Sequence, residues 1–359
     1  MCRARRRRAL LFAALAFAVA CVVFGPATRL LDGSAWGPYR QPGLLLMRNH
    51  PANDSAVSWP QQGQAAFVLG SDRPAASPQQ QTPVAIASLA KVMTAYLTLE
   101  RYPLSGRQEG FTVTVTAAEA QAVAGDRADG ESVVAVAPGE QLTERQLLEG
   151  LLIPSGNNIA ELLATTVAGS ETRFVAEMNA QARALGMDHT IYTDPSGFDP
   201  GTVSTAADQL RVFQQAMRFP TFRQIVSMAS VTLPVAGTVT NFDPLIDAGY
   251  AGKTGSDSAA GGCLAFFTEV TVSGRRKTAV GVVLGQGQGS DTRELLFAVA
   301  RAAEQLVSSA VSANGGRATA PSPARHGREQ SALDRLGRAG SESFATGLMF
   351  NTTATQEKI

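Results

Sequence analysis

Ser88 and Lys91 stand three residues apart in the run Ile86-Ala87-Ser88-Leu89-Ala90-Lys91-Val92-Met93-Thr94-Ala95-Tyr96-Leu97. On a helix that spacing puts two side chains on one face, so the run offers a hydroxyl with an amine beside it. Ser88 follows the extended-looking Pro83-Val84-Ala85, where a first helical turn would begin. The positive end of such a helix, with its free N–H groups, favours the oxyanion that acyl transfer creates. Lys91 can take the serine proton if burial and a neighbouring cation lower its pKa.

A serine and a lysine at this spacing occur by chance in a few hundred residues about as often as not. Two further features give the pair weight. The sequence has only four lysines, Lys91, Lys253, Lys277 and Lys358, and every other basic side chain is arginine. Lysine can be deprotonated in a protein and arginine effectively cannot, so lysine in so arginine-rich a chain suggests a chemical use. Downstream, in order, come Ser155-Gly156-Asn157 and Lys253-Thr254-Gly255. Each of these alone is more often a helix-linking turn or the end of a strand.

The elements that must position these residues follow from pattern. Ala65 to Leu69 is a short apolar strand candidate. The helix opened by Ser88 runs to about Arg101, where Tyr102-Pro103 stops it. Its apolar positions Leu89, Val92, Met93, Tyr96 and Leu97 cover enough surface for a buried central helix. Phe111 to Thr116 alternates as a half-buried strand does. Thr143 and Gln146 match a capping box and start a helix through Leu152. A second helix from about Asn158 to Val167 leaves Ser155 and Asn157 on a tight connection. Ser170 caps a third helix that Gly186 stops, and Ser204-Thr205 with Asp208 begins a fourth. Asp194-Pro195-Ser196-Gly197 is turn chemistry, and Asp188-His189 reads as a polar turn. Strands are expected at Ser227 to Pro234, Cys263 to Val272 and Thr278 to Leu284, the last two joined as a hairpin near Ser273-Gly274. A helix from Asp291 to Val307 closes the pattern. The mixture predicts an α/β (α+β) chain, an antiparallel sheet covered by helices with a helical insertion.

The 359 residues carry a net charge of +1 and no basic tract interleaved with aromatics, so no nucleic-acid partner is expected. Arg3 and Arg5 to Arg8 precede an apolar run from Ala9 to Phe24, an export signal or retained anchor over residues 1–27. Arginines on one side only predict that the rest crosses to the outside. Residues 28–64 read as a linker, 65–310 as the catalytic domain and 311–359 as a disordered Gly, Ala, Ser, Pro and Arg-rich tail. Membrane contact is expected through the N-terminal segment only. Cys263, the one cysteine beyond the leader, is expected to be a buried small apolar residue. No cysteine and histidine cluster has metal-ligand spacing, and three histidines supply a serine, histidine and aspartate triad poorly.

Ser88-x-x-Lys91, Ser155-Gly156-Asn157 and Lys253-Thr254-Gly255, in this order, resemble the serine-type D-alanyl-D-alanine carboxypeptidases, the low-molecular-mass penicillin-binding proteins. The resemblance continues through Leu151-Leu152-Ile153-Pro154, Thr193-Asp194-Pro195-Ser196-Gly197 and Ser256-Asp257-Ser258-Ala259-Ala260-Gly261-Gly262, and covers roughly Ala65 to Val307. It implies a β-lactamase-like fold, a five-stranded antiparallel sheet flanked by helices with a helical subdomain. It also implies that Ser88 is acylated, that Lys91 is its base, that Ser155 relays a proton to the departing amine, and that Asn157 holds Lys91 and the substrate amide. Lys253 and Thr254 would receive the terminal carboxylate, Gly255 would let substrate backbone approach, and the N–H groups of Ser88 and Ser256 would form the oxyanion hole. The implied substrate is a peptidoglycan stem peptide ending in D-Ala-D-Ala, with β-lactams as covalent inhibitors and no metal or organic cofactor.

Two departures stand out. Gly252 occupies a position where relatives often carry an aliphatic residue, so a looser start to that strand is expected. No arginine lies between Arg223 and Lys253, which leaves carboxylate binding to Lys253 and Thr254. A class A β-lactamase would need a glutamate in an E-x-x-x-N pattern, which does not occur between Asn157 and Lys253. A non-catalytic wall-binding relative would have no use for the paired nucleophile and base. Endopeptidase action on cross-links remains open, because cleft shape decides it.

Overall fold

The computed structural model describes residues 57–78 and 81–315. The expected leader at 1–27, most of the 28–64 linker and the tail beyond 315 lie outside the described residues. The chain runs from β1 (Gln64–Leu69) and β2 (Ala75–Ala76) to β3 (Val84–Ala85), a 3-10 turn at Ala87–Leu89 and α1 (Ala90–Arg101). Then follow β4 (Thr112–Thr114), α2 (Ala117–Ala128), β5 (Gln141–Thr143), α3 (Glu144–Leu152), α4 (Asn157–Ala168) and α5 (Glu171–Ala184). β6 (Val203–Ser204), α6 (Ala206–Ala216), α7 (Pro220–Val226), β7 (Ser230–Leu233) and β8 (Gly237–Thr240) lead to β9 (Tyr250–Asp257), β10 (Gly261–Val272), β11 (Arg275–Gln286) and α8 (Thr292–Ala313).

Five strands form the main sheet in the order β2-β1-β11-β10-β9, paired antiparallel throughout. The strands are apolar on both faces because helices cover both. Ala65, Phe67, Leu264, Phe266 and Val283 point to a core shared with Val299, Leu306 and Val311 of α8. Their neighbours Ala66, Cys263, Ala265, Val282 and Leu284 join a second core with Val92, Met93 and Phe213. Neighbouring strand residues thus serve opposite cores, the period-2 rule at work. Ser273 and Gly274 turn the expected β10–β11 hairpin, both with positive φ. β9 is left as the edge strand on the site's side.

α1 is the buried central helix that its apolar pattern predicts, with Ala90 through Leu99 all buried. The capping box of Thr143 and Gln146 forms with both reciprocal hydrogen bonds. Ser170, Thr205 and Asp291 cap α5, α6 and α8 through their side-chain oxygens. α8 is long and apolar enough to cross a membrane, yet its apolar face is buried against the sheet. It runs past the expected Val307, and Ala310 and Val311 are buried too. Ser58 and Trp59 dock on this helix: the Ser58 N–H donates to Ser309 Oγ, and Trp59 is buried in the same core.

Three local expectations change. Phe111 to Thr116 yields only the three-residue β4, paired with β5 outside the main sheet, because Thr116 ends the strand to cap α2. The strand expected from Ser227 shortens to β7, which pairs with β8 in a separate ribbon. α2 and α7 were not expected, although Thr116 with Glu119 is a capping box and Pro220 stands in the first turn of α7.

Candidate active site

Ser88 lies in the 3-10 turn at Ala87–Leu89, one step before α1, rather than in the α-helix itself. The preceding Ala87 has φ +45, a left-handed backbone rare for a residue with a Cβ. The tighter turn still brings the pair together, with Lys91 Nζ 2.8 Å from Ser88 Oγ. Ser88 is half-buried, whereas Lys91 is fully enclosed at 0% exposure. Burial, and then the charge of Lys253, hold the Lys91 amine well below the usual lysine range.

Two turns grip Lys91 from the far side. Its Nζ donates to Asn157 Oδ1 at 2.6 Å and to the Ser196 carbonyl at 2.9 Å. The Asn157 amide is oriented by its other end, where Nδ2 donates to Glu131 Oε2 at 2.7 Å. The Ser196 carbonyl is aimed by the Asp194–Phe198 turn. Asp194 accepts from the N–H groups of Ser196, Gly197 and Phe198 and from the hydroxyls of Ser196 and Thr202. Thr94 Oγ1 ties the turn to α1 through the Pro195 carbonyl. Gly197, at φ +81, packs so closely that a Cβ would lie 1.9 Å from the Ala87 carbonyl oxygen. Thus the Asp194 turn buttresses the nucleophile's turn as well as the amine.

The geometry decides what the amine can do. Beyond Cε, a neutral Nζ has two N–H bonds and one lone pair. Asn157 Oδ1 and the Ser196 carbonyl are acceptors only and take the two N–H bonds. The lone pair is then left for the one partner that can donate, the Ser88 hydroxyl. A buried, neutral Lys91 in this cage is therefore set to remove the Ser88 proton.

Ser155 sits on the connection between α3 and α4 with φ +63, a strained conformation of the kind found at functional sites. It is 4% exposed, and its Oγ has no hydrogen-bond partner among the described residues. A Cβ on the next residue, Gly156, would lie 2.7 Å from Val134 and 2.9 Å from Ile159, so only glycine fits the turn. Asn157 opens α4, one residue before the expected start.

On the edge strand β9, Lys253 is 1% exposed and Thr254 5%. Lys253 Nζ donates to the Thr254 carbonyl at 2.7 Å. Burial pulls the Lys253 amine down to about 7, against the opposing pull of Asp243. Gly255 faces the nucleophile's turn: a Cβ there would lie 3.0 Å from both Ser88 N and the Ile86 carbonyl. Ser256, next on the strand, is half-buried opposite Gly262. The looser start expected at Gly252 is not found. β9 is paired from Tyr250 onward, and a Cβ on Gly252 would lie 1.9 Å from the Ala265 carbonyl oxygen, so the close backbone approach itself requires glycine. Cys263 is buried and free behind Gly255, as expected.

Lys91 thus hydrogen-bonds Ser88 and Asn157, Gly255 packs beside the Ser88 turn, and the charge of Lys253 acts on Lys91, whereas Ser155 makes no hydrogen bond to this cluster among the described residues. Sequence reasoning did not single out Glu131, Asp243 or the Asp194 carboxylate. Asp194 had a signal in its turn motif, whereas Glu131 and Asp243 lie in irregular segments without one.

A family profile described as D-alanyl-D-alanine carboxypeptidase matches residues 71–287. A D-alanyl-D-alanine carboxypeptidase of Mycobacterium tuberculosis is 35% identical over 208 residues, covering 55% of this chain and 66% of that protein, a little under two thirds of its length. The crystal structure of a Streptomyces DD-transpeptidase matches 71% of this chain and 100% of its own at 25% identity, with a TM-score of 0.60. That of a penicillin-binding protein homologue from Mycobacterium tuberculosis matches 76% of this chain and 100% of its own at 28% identity, with a TM-score of 0.59.

Proposed function

The chain belongs to the D-alanyl-D-alanine carboxypeptidase family of serine hydrolases, and from that premise we propose that its cleft removes the terminal D-alanine from peptidoglycan stem peptides through an acyl-enzyme on Ser88. The observation that carries this is the Lys91 cage, whose two acceptor-only partners leave the amine lone pair for the Ser88 hydroxyl.

In the proposed first half-reaction Lys91 Nζ takes the Ser88 proton as Oγ bonds to the carbonyl carbon of the penultimate D-Ala. The N–H groups of Ser88 and Ser256 hold the oxyanion, the arrangement that Gly255 permits by coming so close to Ser88 N. The Ser155 hydroxyl, whose Oγ has no hydrogen-bond partner among the described residues, gives its proton to the departing D-Ala nitrogen as the C–N bond breaks and receives in its place the proton that Lys91 took from Ser88, so that Lys91 is neutral again. Water then attacks the ester, Lys91 takes its proton, and Ser88 Oγ leaves with a proton. Lys253 and Thr254 receive the terminal carboxylate, and Asn157 holds Lys91 and the substrate amide. A β-lactam would enter the same path and stop at the acyl-enzyme.

In this reading residues 65–310 are the catalytic domain, and residues 28–64 connect it to a signal or anchor at 1–27. The enzyme works outside the cytoplasmic membrane, where its substrate is, with membrane contact through the N-terminal segment alone. The test is release of D-alanine from an N-acylated tripeptide ending in D-Ala-D-Ala. Wild-type protein is expected to release it and Ser88→Ala not to; equal rates would overturn the reading.

A further inference from the structure

Glu131 is placed by the end of α2. Gly130 has φ +90, its N–H donates to the Arg127 carbonyl at 3.2 Å, and the Glu131 N–H donates to the Asp126 carbonyl at 3.0 Å. These two bonds are the helix-ending pattern built on a left-handed glycine. The next residues are fastened to the start of α4. The Asn157 N–H donates to the Ser132 carbonyl at 2.7 Å, and the Asn158 side chain bonds both the N–H and the carbonyl of Val134, at 3.0 and 2.9 Å. Glu131 is thus held, half-buried, between a helix end and the turn that carries Asn157.

The Asn157 side chain has one accepting oxygen and one nitrogen with two N–H bonds. Oδ1 takes a Lys91 N–H at 2.6 Å, and Nδ2 gives one of its own to Glu131 Oε2 at 2.7 Å. The amide turned over would fill nearly the same space, but with its oxygen against the Glu131 carboxylate and an N–H against the Lys91 amine. That N–H would take the lone pair that must face the Ser88 hydroxyl. A carboxylate only accepts, so it rejects the turned amide, whereas a neutral partner able to give and to accept would tolerate it. We propose that Glu131 is a positioning residue, whose carboxylate fixes the orientation of the Asn157 amide and so keeps Lys91 as the base of Ser88. The second N–H of Nδ2 is left for the substrate amide. This rests on the reading of the cleft as an acylation site with Lys91 as its base, and it adds the group that sets the acceptor beside that base.

Variants of the full chain test this, each compared with the wild type by melting and by the saturating rate of acylation with benzylpenicillin. Glu131→Gln matches the side chain in size but can give as well as accept, so it admits both amide orientations. Its acylation rate should fall about 10-fold, the gap between a charge-assisted and a neutral hydrogen bond. Glu131→Asp is shorter but only accepts, and should keep more of the rate than Glu131→Gln. A packing role would give the opposite order, because glutamine is the closer match in shape. Since Glu131 acts through Asn157, Glu131→Gln should cost nothing further in an Asn157→Ala background.

A wild-type acylation rate in folded Glu131→Gln overturns the proposal. So does a faster rate in Glu131→Gln than in Glu131→Asp, or a full further loss in the Asn157→Ala background. One check needs no Glu131 variant. In the wild type labelled with ¹⁵N-asparagine, the Asn157 side-chain amide, assigned by its absence from Asn157→Ala, should exchange slowly with water; free exchange overturns the proposal. Failure of the functional reading looks different: the wild type would form no adduct with benzylpenicillin while the Asn157 amide stayed protected.

Discussion

At the residue scale acylation requires the Lys91 amine to be neutral, as its burial favours. Lys91 is enclosed by Ser88, Asn157 and the Ser196 carbonyl, and its burial disfavours the charged form. Ser88→Ala should abolish acylation and leave the melting temperature within a few degrees, since Ser88 is half-buried and only a hydroxyl is removed. Labelling by a fluorescent penicillin beside a melting curve checks both. Lys253→Arg keeps a charge but brings a wider, planar group into a buried slot. A misplaced charged hydrogen bond of about 1.5–3 kcal/mol should lower kcat/KM about 10–100-fold, most of it in KM. Steady-state kinetics on the D-Ala-D-Ala peptide decide it, and near wild-type turnover would refute the placement of the carboxylate.

At the element scale the site depends on turns that tolerate one residue each. Gly255→Ala puts a methyl group 3.0 Å from Ser88 N, where the oxyanion donor sits in the proposed mechanism. Acylation should fall by up to about 10²–10³-fold, the cost of losing such a donor, with little change in melting. Gly252→Ala puts its methyl group 1.9 Å from the Ala265 carbonyl inside the sheet. That variant should lose about 1–3 kcal/mol of stability in denaturant unfolding, the range for overpacking. The two neighbouring glycines thus separate catalysis from folding. Much of this level was legible in sequence: the capping box at Thr143 and Gln146, the stop at Tyr102-Pro103 and the β10–β11 hairpin all rest on local chemistry. Ser88 in a 3-10 turn was not, because the left-handed Ala87 that precedes it packs against Gly197, far along the chain. Gly252 misled for a similar reason, since its crowding comes from the neighbouring strand.

At the scale of the whole molecule, two cores on opposite faces of one sheet hold the cleft's parts in register. α8 supplies one of them. A chain ending at Val307 should melt lower than one ending at Gly315, because it loses the buried Ala310 and Val311. pH adds a second test. Burial pushes the Glu144 carboxyl up to about 7 from an ordinary 4.5, so the folded state holds this proton more tightly than the unfolded state does. Below about pH 4.5 the group makes no difference. Between there and 7 ionisation favours the unfolded chain and stability falls, and above 7 the loss is complete. Glu144→Gln should flatten that slope and leave the variant more stable at pH 8 by about 1–3 kcal/mol, as read from urea unfolding at each pH. Strands β1, β10 and β11 and most of the helices were readable from pattern, whereas α2, α7 and the edge strand β9 were not. The Lys91 cage was not readable, because it joins a central helix to the Asn157 and Ser196 turns, 66 and 105 residues away in sequence.

An acyl-enzyme on Ser88 would be caught by an intact-mass time course with benzylpenicillin followed by peptide mapping. A single long-lived adduct on the peptide that carries Ser88 is the predicted result. A folded protein that stays unmodified, or one that carries the drug elsewhere, would contradict it.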